Sequence, residues 1–266
     1  MKHYVVFVHG IGEQKKGDYS DFGKRLRAAF EKESRKSGKS RPTGEAFMWD
    51  EVYWADITQP DEDKMKIRIG MGSRFRQLFI GSLGDVIAYS KLTNPPDKYS
   101  EVQKRFSEAI TRFRHQMQQN PETQVSLTVI AHSLGSVIAS DGIYDLTNKN
   151  AMHSNVPIDR FFSMGSPIAL FGLRYGLKNF VHPISPKLWI NFFYPQDLIA
   201  YQLKTLNSEY NSAVSEDISL LPGGTNFLTT ILRRLLSVIP LVNVSSHSWY
   251  LTDQRVINKI AKSLVQ

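Results

Sequence analysis

The 266-residue sequence contains no cysteine. A disulfide framework and a metal site built on thiolates are therefore excluded, and stability must come from a buried core. The sequence also lacks a His-Glu-x-x-His motif, a clustered acidic loop and a phosphate-cradling Gly-x-x-x-x-Gly-Lys motif. Metal-dependent and nucleotide-dependent chemistry therefore have no support. We predict no cofactor and no bound metal.

Long uninterrupted hydrophobic runs are also missing. The apolar run near the N-terminus, Tyr4–Val8, is much too short for the core of a signal peptide or for a membrane span. The apolar stretch Leu220–Val244 is broken by Pro222-Gly223-Gly224 and by Pro240, so it is not expected to cross a bilayer. These features predict a cytoplasmic protein.

Acidic residues are outnumbered, with 25 Asp and Glu against 33 Lys and Arg, which gives a formal charge of +8. This balance favours encounter with anionic surfaces such as phospholipid head groups, nucleic acids or acidic polymers, and the charge alone does not choose among them. We expect peripheral contact with an anionic membrane and no nucleic-acid partner.

Strand and helix patterns alternate along the chain. Continuous β-branched and aromatic runs predict strands at Tyr4–Val8, Ala46–Ala55, Val125–Ala131, Arg160–Met164 and Leu188–Tyr194. Amphipathic patterns predict helices at Asp18–Ser37, Ser73–Leu92, Ser100–Gln119 and Ser136–Thr147. This alternation is typical of an α/β domain with a largely parallel sheet. No repeat or linker divides residues 1–266, so we predict one domain, with 57–100 and 202–241 as candidate cap or lid insertions.

A strand, a sharp turn and a helix surround Ser133 in the sequence Ala-His-Ser-Leu-Gly. Cleavage of an ester by serine needs such an elbow, which holds the hydroxyl above the sheet within reach of an imidazole. Small residues must flank the elbow; Gly135 fits, while Ala131 stands where glycine is commoner. The alternative is that Ser133 only caps the following helix. Its context favours a nucleophile.

The turn after the first strand, His9-Gly10-Ile11-Gly12, is a candidate oxyanion loop. Glycines let the backbone turn so that an N–H group faces developing negative charge. We predict that the N–H groups of Ile11 and Leu134 are the donors, with Gly12 as the alternative to Ile11. The other interpretation is a plain tight turn.

An orienting acid is expected after a late strand, and Asp197 lies just past the strand Leu188–Tyr194. Asp159 precedes its strand and Asp217 follows a long polar stretch, so both are weaker candidates. Asp197 could instead cap a helix that begins at Leu198.

The general base is selected by chain order, because hydrolases with a serine elbow place their acid and then their histidine after the serine. His153 and His182 lie between Ser133 and Asp197, whereas His247 is the only histidine after Asp197. We therefore predict His247 as the base, and we expect His9 and His132 to shape the walls of the site.

Five segments carry a resemblance to a known family: 81–89, 129–141, 161–171, 194–201 and 247–253. They resemble segments of intracellular lipases of the DDHD-domain phospholipase type. The resemblance implies an α/β-hydrolase fold, a lipid-ester substrate, and catalytic positions at Ser133, Asp197 and His247. Asp253 matches a further acidic position, which we interpret first as a structural cap. The chain lacks the extra regions of the larger members of this family.

These observations predict a serine carboxylic ester hydrolase that acts on lipid-like esters, with phospholipase A activity expected from the resemblance. The α/β-hydrolase fold is expected to lack its first two strands, because the first strand already feeds the oxyanion turn. Two alternatives stay open: an acyltransferase with the same triad, and a lipid-surface binding module with a vestigial triad. The stretch 220–244 is either a lid or a buried helix. The basic residues of 73–92 either meet anionic lipid or form a solvated face.

Overall fold

A six-stranded sheet organises the part of the chain that the structure describes. The structure is a computed structural model, and it describes residues 1–10, 15–38, 46–58, 98–119, 121–148, 157–175, 184, 186–221 and 246–266. The strands are β1 (Lys2–Val8), β2 (Phe47–Val52), β3 (Val125–His132), β4 (Arg160–Met164), β5 (Leu188–Phe193) and β6 (Glu216–Ser219). Their order is β2-β1-β3-β4-β5-β6, and every neighbouring pair is parallel.

The helices of the described residues lie before, between and after these strands. They are α1 (Ser20–Lys36), α2 (Lys98–Gln119), α3 (Leu134–Asn148), α4 (Ile168–Tyr175), α5 (Ser208–Ala213), α6 (Ser246–Trp249) and α7 (Gln254–Val265). Helices α2 and α3 pack on one face of the sheet, while α1 and α7 pack against each other on the opposite face. Helices on both faces explain why the central strands are almost continuously apolar.

Strand β1 shows how alternate residues serve the two layers. Tyr4, Val6 and Val8 join the core that includes α2 and α3, whereas Val5 and Phe7 join the core that includes α1 and α7. This is the two-residue period of a pleated strand that is buried on both sides. Parallel strands place their carboxyl ends at one edge of the sheet, so the segments after β1, β3, β4 and β5 meet there.

The predicted α/β class and parallel sheet are confirmed, and strand order and helix placement agree with an α/β-hydrolase fold. In the described ranges no strand lies beyond β2, as expected for a sheet without the first two strands of that fold.

Strand β6 was not predicted from the sequence. The predicted helix 73–92 and most of the candidate lid 220–244 lie outside the described residues, and the single-domain assignment stays a prediction. No helix within the described ranges combines the length and apolar composition needed to cross a bilayer.

Candidate active site

Ser133 occupies a strained elbow between β3 and α3. Its φ of 55° makes it the sole non-glycine residue with positive φ in the described ranges. Such a conformation costs about 1–3 kcal/mol and persists only where the surroundings enforce it. Here the Ser133 N–H donates to the carbonyl of Met164 at the end of β4 (2.9 Å), which anchors the elbow to the neighbouring strand. The strand-elbow-helix order predicted from the sequence is confirmed.

Two glycines allow the backbone to crowd around this elbow. A Cβ atom on Gly10 would lie 2.5 Å from the Cβ of Ser133, and one on Gly135 would lie 2.3 Å from the carbonyl oxygen of Val8. Neither separation is compatible with a side chain, because the neighbouring atoms, a Cβ carbon and a backbone oxygen, cannot move aside cheaply. Gly10, two residues after β1, therefore lies directly against Ser133.

Ser133, His247 and Asp197 form one chain of hydrogen bonds. The Nε2 atom of His247 lies 2.7 Å from Ser133 Oγ. Its Nδ1 atom lies 2.8 Å from Asp197 Oδ2. Ser133 comes from the elbow after β3, Asp197 from the turn after β5, and His247 from the short helix α6. The three residues chosen by chain order are therefore brought together at the carboxyl edge of the sheet.

Asp197 is a buried carboxylate with several donors. Its backbone N–H donates to the carbonyl of Tyr194 (2.9 Å), which closes a tight turn immediately after β5. Its Oδ1 accepts from the N–H of Ile199 (3.2 Å), while Oδ2 accepts from both His247 and Tyr250 (each 2.8 Å). Burial alone would raise the pKa of Asp197, but these hydrogen bonds outweigh it and hold the pKa below its usual value. Asp197 is therefore ionised at neutral pH.

The competing carboxylates have structural partners elsewhere. Asp159 accepts from the N–H of Leu127 and pairs with a lysine. Asp217 lies on β6 and accepts from the backbone N–H groups of Leu203 and Lys204. Asp253 caps the N-terminus of α7, which confirms its interpretation as a structural cap. Among the residues that the structure describes, none of them has a hydrogen bond to a histidine.

His132 and His9 are two further buried histidines at the carboxyl edge of the sheet, at the end of β3 and just after β1. The Nε2–H of His132 donates to the carbonyl oxygen of His247 (2.7 Å), and the two rings are 4.9 Å apart. The Nε2 of His9 accepts from the N–H of Trp54 (3.1 Å), and the His9 ring stacks on the Trp54 indole. Burial lowers the pKa of His132 to about 3 and that of His9 to about 4. Both rings are therefore neutral at neutral pH, and their role as walls of the site stays a prediction.

These two histidines predict a loss of stability in mild acid. In the unfolded chain a histidine takes up a proton near pH 6.5. Because the folded pKa values of His132 and His9 are lower, the unfolded state binds more protons between that pH and about 4. Each histidine therefore removes up to about 1.4 kcal/mol of unfolding free energy per pH unit as pH falls through this window.

Urea unfolding of wild type and His132→Gln between pH 7 and pH 4.5 measures this effect. The variant should have a shallower pH slope than wild type, because one of the two buried histidines no longer titrates. An unchanged slope in His132→Gln would contradict a neutral, buried His132.

Gly165 supports the histidine segment from the end of β4. It has a φ of 61°, and an added Cβ would lie 2.8 Å from Cε2 of Tyr250 and 3.1 Å from Cε1 of His247. We expect Gly165→Ala to lower the free energy of unfolding by roughly 1–3 kcal/mol, because it combines a left-handed backbone with a clash. Gly38→Ala is a matched control, since Gly38 also has positive φ but nothing within 4 Å of an added Cβ. Chemical denaturation of both variants measures the difference; equal losses would mean that only the backbone matters.

Of the predicted oxyanion donors, only Leu134 lies within the residues that the structure describes. Leu134 is the first residue of α3, so its N–H is one of the four without a partner inside the helix. This leaves it available beside Ser133. Ile11 and its alternative Gly12 lie outside the described residues, as do His153 and His182. Across the described ranges, no three His, Asp or Glu side chains are grouped closely enough to hold a metal ion.

Two groups of polar side chains at the site were missed by sequence reasoning. Tyr250 contacts Asp197 through its hydroxyl. The buried hydroxyl of Ser136 bonds the carbonyl of Ser133 (2.6 Å) and the hydroxyl of Ser166 (2.7 Å). The available signal for Tyr250 is its spacing of three residues from His247, which places two side chains on the same side of a helical turn.

No family model matches the chain, and no curated protein matches it. Among solved structures, a novel cutinase-like protein from Cryptococcus sp. is similar over 99% of this chain and 92% of its own, with a TM-score of 0.44 and 11% identity. Phospholipase PlaB from Legionella pneumophila is similar over 70% of this chain and 30% of its own, with a TM-score of 0.32 and 16% identity. PlaB in complex with thio-NAD is similar over 99% of this chain and 62% of its own, with a TM-score of 0.39 and 12% identity. This chain thus spans less than two thirds of PlaB.

Proposed function

We propose that this protein is a serine ester hydrolase that cleaves lipid-like carboxylic esters. The observation that carries the proposal is the unbroken hydrogen-bonded chain from Ser133 Oγ through His247 to the buried carboxylate of Asp197. Its serine sits on a strained elbow, and its acid is held ionised. This is the arrangement that activates a hydroxyl as a nucleophile.

In the proposed reaction, Ser133 Oγ attacks the ester carbonyl while Nε2 of His247 takes the hydroxyl proton. The resulting tetrahedral intermediate expels the alcohol, which receives that proton from His247, and an acyl-enzyme remains. A water molecule then gives a proton to His247 and attacks the acyl carbon. The second tetrahedral intermediate expels Ser133 Oγ, which takes that proton back from His247, and the carboxylic acid is released. Asp197 stabilises the imidazolium formed in each half of the reaction, and the N–H of Leu134 together with that of Ile11 or Gly12 binds the oxyanion.

A lipid-like substrate is favoured by an exposed apolar side chain next to Asp197 and by the overall charge. Leu198 follows Asp197 directly and is 43% exposed. Large exposed aliphatic side chains next to a site favour contact with acyl chains. The charge of +8 and the resemblance to DDHD-type lipases add phospholipid cleavage at an anionic surface to the proposal.

Hydrolysis of p-nitrophenyl esters of increasing acyl length tests the proposal. Wild-type protein should turn over short and medium esters, and a fluorophosphonate should form an adduct that peptide mass spectrometry places on Ser133. An adduct on another residue, or no turnover of any ester, would overturn the assignment. Phospholipid cleavage is tested separately with anionic vesicles of phosphatidylglycerol, where absence of released fatty acid would remove that half of the proposal.

The same assay separates the two alternative functions. An acyltransferase would form a new ester when an alcohol is added and would hydrolyse the donor slowly in water. A binding module with a vestigial triad would bind vesicles without forming the adduct. The intact hydrogen bonds of His247 to both of its partners favour a working triad over a vestigial one.

A further inference from the structure

Tyr250 forms a hydrogen bond with Asp197, the acid of the proposed triad, in addition to the one that His247 forms. It follows α6, three residues after His247, and its side chain is fully buried. Its hydroxyl lies 2.8 Å from Asp197 Oδ2, the same oxygen that pairs with His247. The segment that supplies the base therefore also supplies a second partner for the acid.

The direction of this hydrogen bond follows from the partners of the hydroxyl. The backbone N–H of Tyr194 lies 2.9 Å from the Tyr250 oxygen, and a backbone N–H can only donate. The oxygen of Tyr250 must therefore accept from Tyr194, and its single proton is free to point at Asp197. An ionised carboxylate only accepts, so this assignment satisfies all three groups.

These bonds connect the two segments that carry the acid and the base. Tyr194 and Asp197 are the ends of the tight turn after β5, and Tyr250 bonds to both ends. A hydrogen bond to a charged, buried acceptor is stronger than a neutral one, and losing it leaves the acceptor poorly solvated. The Tyr250 hydroxyl thus fixes the position of Asp197 and stabilises its charge.

We infer that Tyr250 is a positioning residue of this site, which acts through Asp197 to set the orientation and charge of the acid that His247 requires. The inference rests on the proposed function. It assigns Tyr250 no contact with the substrate. Removing its hydroxyl should therefore change kcat and the pH dependence of turnover while leaving KM almost unchanged.

Tyr250→Phe removes the hydroxyl and keeps the ring, which packs 4.8 Å from the Tyr194 ring and 5.8 Å from the His132 ring. We expect kcat for ester hydrolysis to fall by roughly 10-fold to 100-fold, with KM within about twofold. The acid side of the kcat profile should move to higher pH, by roughly half a unit, because a carboxylate with fewer donors holds a proton more tightly.

Tyr4→Phe is a matched control. Tyr4 is also buried, and its hydroxyl donates to the carboxylate of Asp50 at 2.7 Å. Tyr4 belongs to the second residue pair of the β1–β2 register, near the amino end of β1 and away from the carboxyl edge that carries the proposed triad. Its removal should leave kcat and the pH profile unchanged. If both variants lose activity equally, or if Tyr250→Phe keeps the wild-type kcat and pH profile, the inference is overturned.

A spectroscopic measurement separates this inference from the proposed function. The proton between His247 Nδ1 and Asp197 should give a downfield proton resonance, assigned by its loss in His247→Gln. Tyr250→Phe should shift this resonance and Tyr4→Phe should not, whether or not esters are turned over. A resonance unmoved in Tyr250→Phe overturns the positioning role, while absence of ester turnover in wild type overturns only the proposed activity.

A second substitution covers the case in which Tyr250→Phe does not fold. Incorporation of 3-fluorotyrosine at position 250 keeps both hydrogen bonds and makes the hydroxyl a stronger donor. It should move the resonance and the acid side of the pH profile in the direction opposite to that of the phenylalanine variant. No change in either measurement would count against the inference.

Discussion

Replacing Ser133 with alanine should lower kcat for ester hydrolysis by roughly 10⁴-fold to 10⁶-fold, to the residual rate that binding and the oxyanion donors provide. The reason is that the 2.7 Å bond from Ser133 to His247 marks the hydroxyl that would be acylated, and alanine supplies no nucleophile. Substrate should still bind, because no other group of the site is changed. Initial rates with p-nitrophenyl esters, measured over a range of enzyme concentrations, give this ratio.

Ser126→Ala is a suitable control for this result. Ser126 is a buried serine on the same strand β3, but its hydroxyl bonds to His3 (2.8 Å) at the opposite end of the strand. We expect kcat in this variant to stay within about threefold of wild type, because distant positions that share no partner are only weakly coupled. Turnover undiminished in Ser133→Ala, or lost equally in Ser126→Ala, would contradict Ser133 as the nucleophile.

Asp197→Asn should have the second largest effect, a fall in kcat of roughly 10⁴-fold with the fold preserved. An asparagine amide group directed at Nδ1 of His247 would donate rather than accept. Nε2 would then carry the imidazole proton and could not take the one from Ser133. The loss should appear in kcat more than in KM, because the acid acts on the base and not on the substrate. Steady-state kinetics and a thermal unfolding scan of the same preparation measure activity and stability together.

Asp217→Asn separates this effect from the general loss of a carboxylate. Asp217 lies on β6, where it accepts from two backbone N–H groups of the loop before α5 and from the side chain of Asn191. Its replacement should lower the unfolding temperature and leave kcat within about threefold. The role of Asp197 would be refuted by a variant that keeps more than a tenth of wild-type kcat.

The strands that could be predicted from the sequence are those whose own residues show an apolar pattern. Strand β1 contains the continuous apolar and aromatic run Tyr4–Val8, and β4 is mostly apolar, because helices cover both faces of the sheet. Strand β6 was missed because it has only four residues, Glu216–Ser219, and only one of them, Ile218, is apolar. Its conformation comes from pairing with β5, which is tertiary information.

The candidate site was predictable to the extent that chain order encodes it. Ser133, Asp197 and His247 each follow or precede recognisable elements, and their order alone selected them. Tyr250 was not predictable in this way, because its role depends on the position of a carboxylate that lies 53 residues earlier in the chain. The same holds for His132, whose partner is a backbone carbonyl 115 residues away. Chain order does not encode contacts of this kind, because they depend on where distant segments meet in the fold.

The hydrogen bonds that link Ser133, His247 and Asp197 join parts of the chain that are far apart: Ser133 and His247 are 114 positions apart, and Asp197 and His247 are 50 positions apart. Contacts of such high sequence separation are slow to form, because the chain must close long loops before they contribute. Helices α1 and α2 can form earlier from local interactions. The proposed reaction of Ser133 with a phosphonate should therefore report on the last stage of refolding. During refolding, this reactivity should recover later than the helical circular dichroism signal.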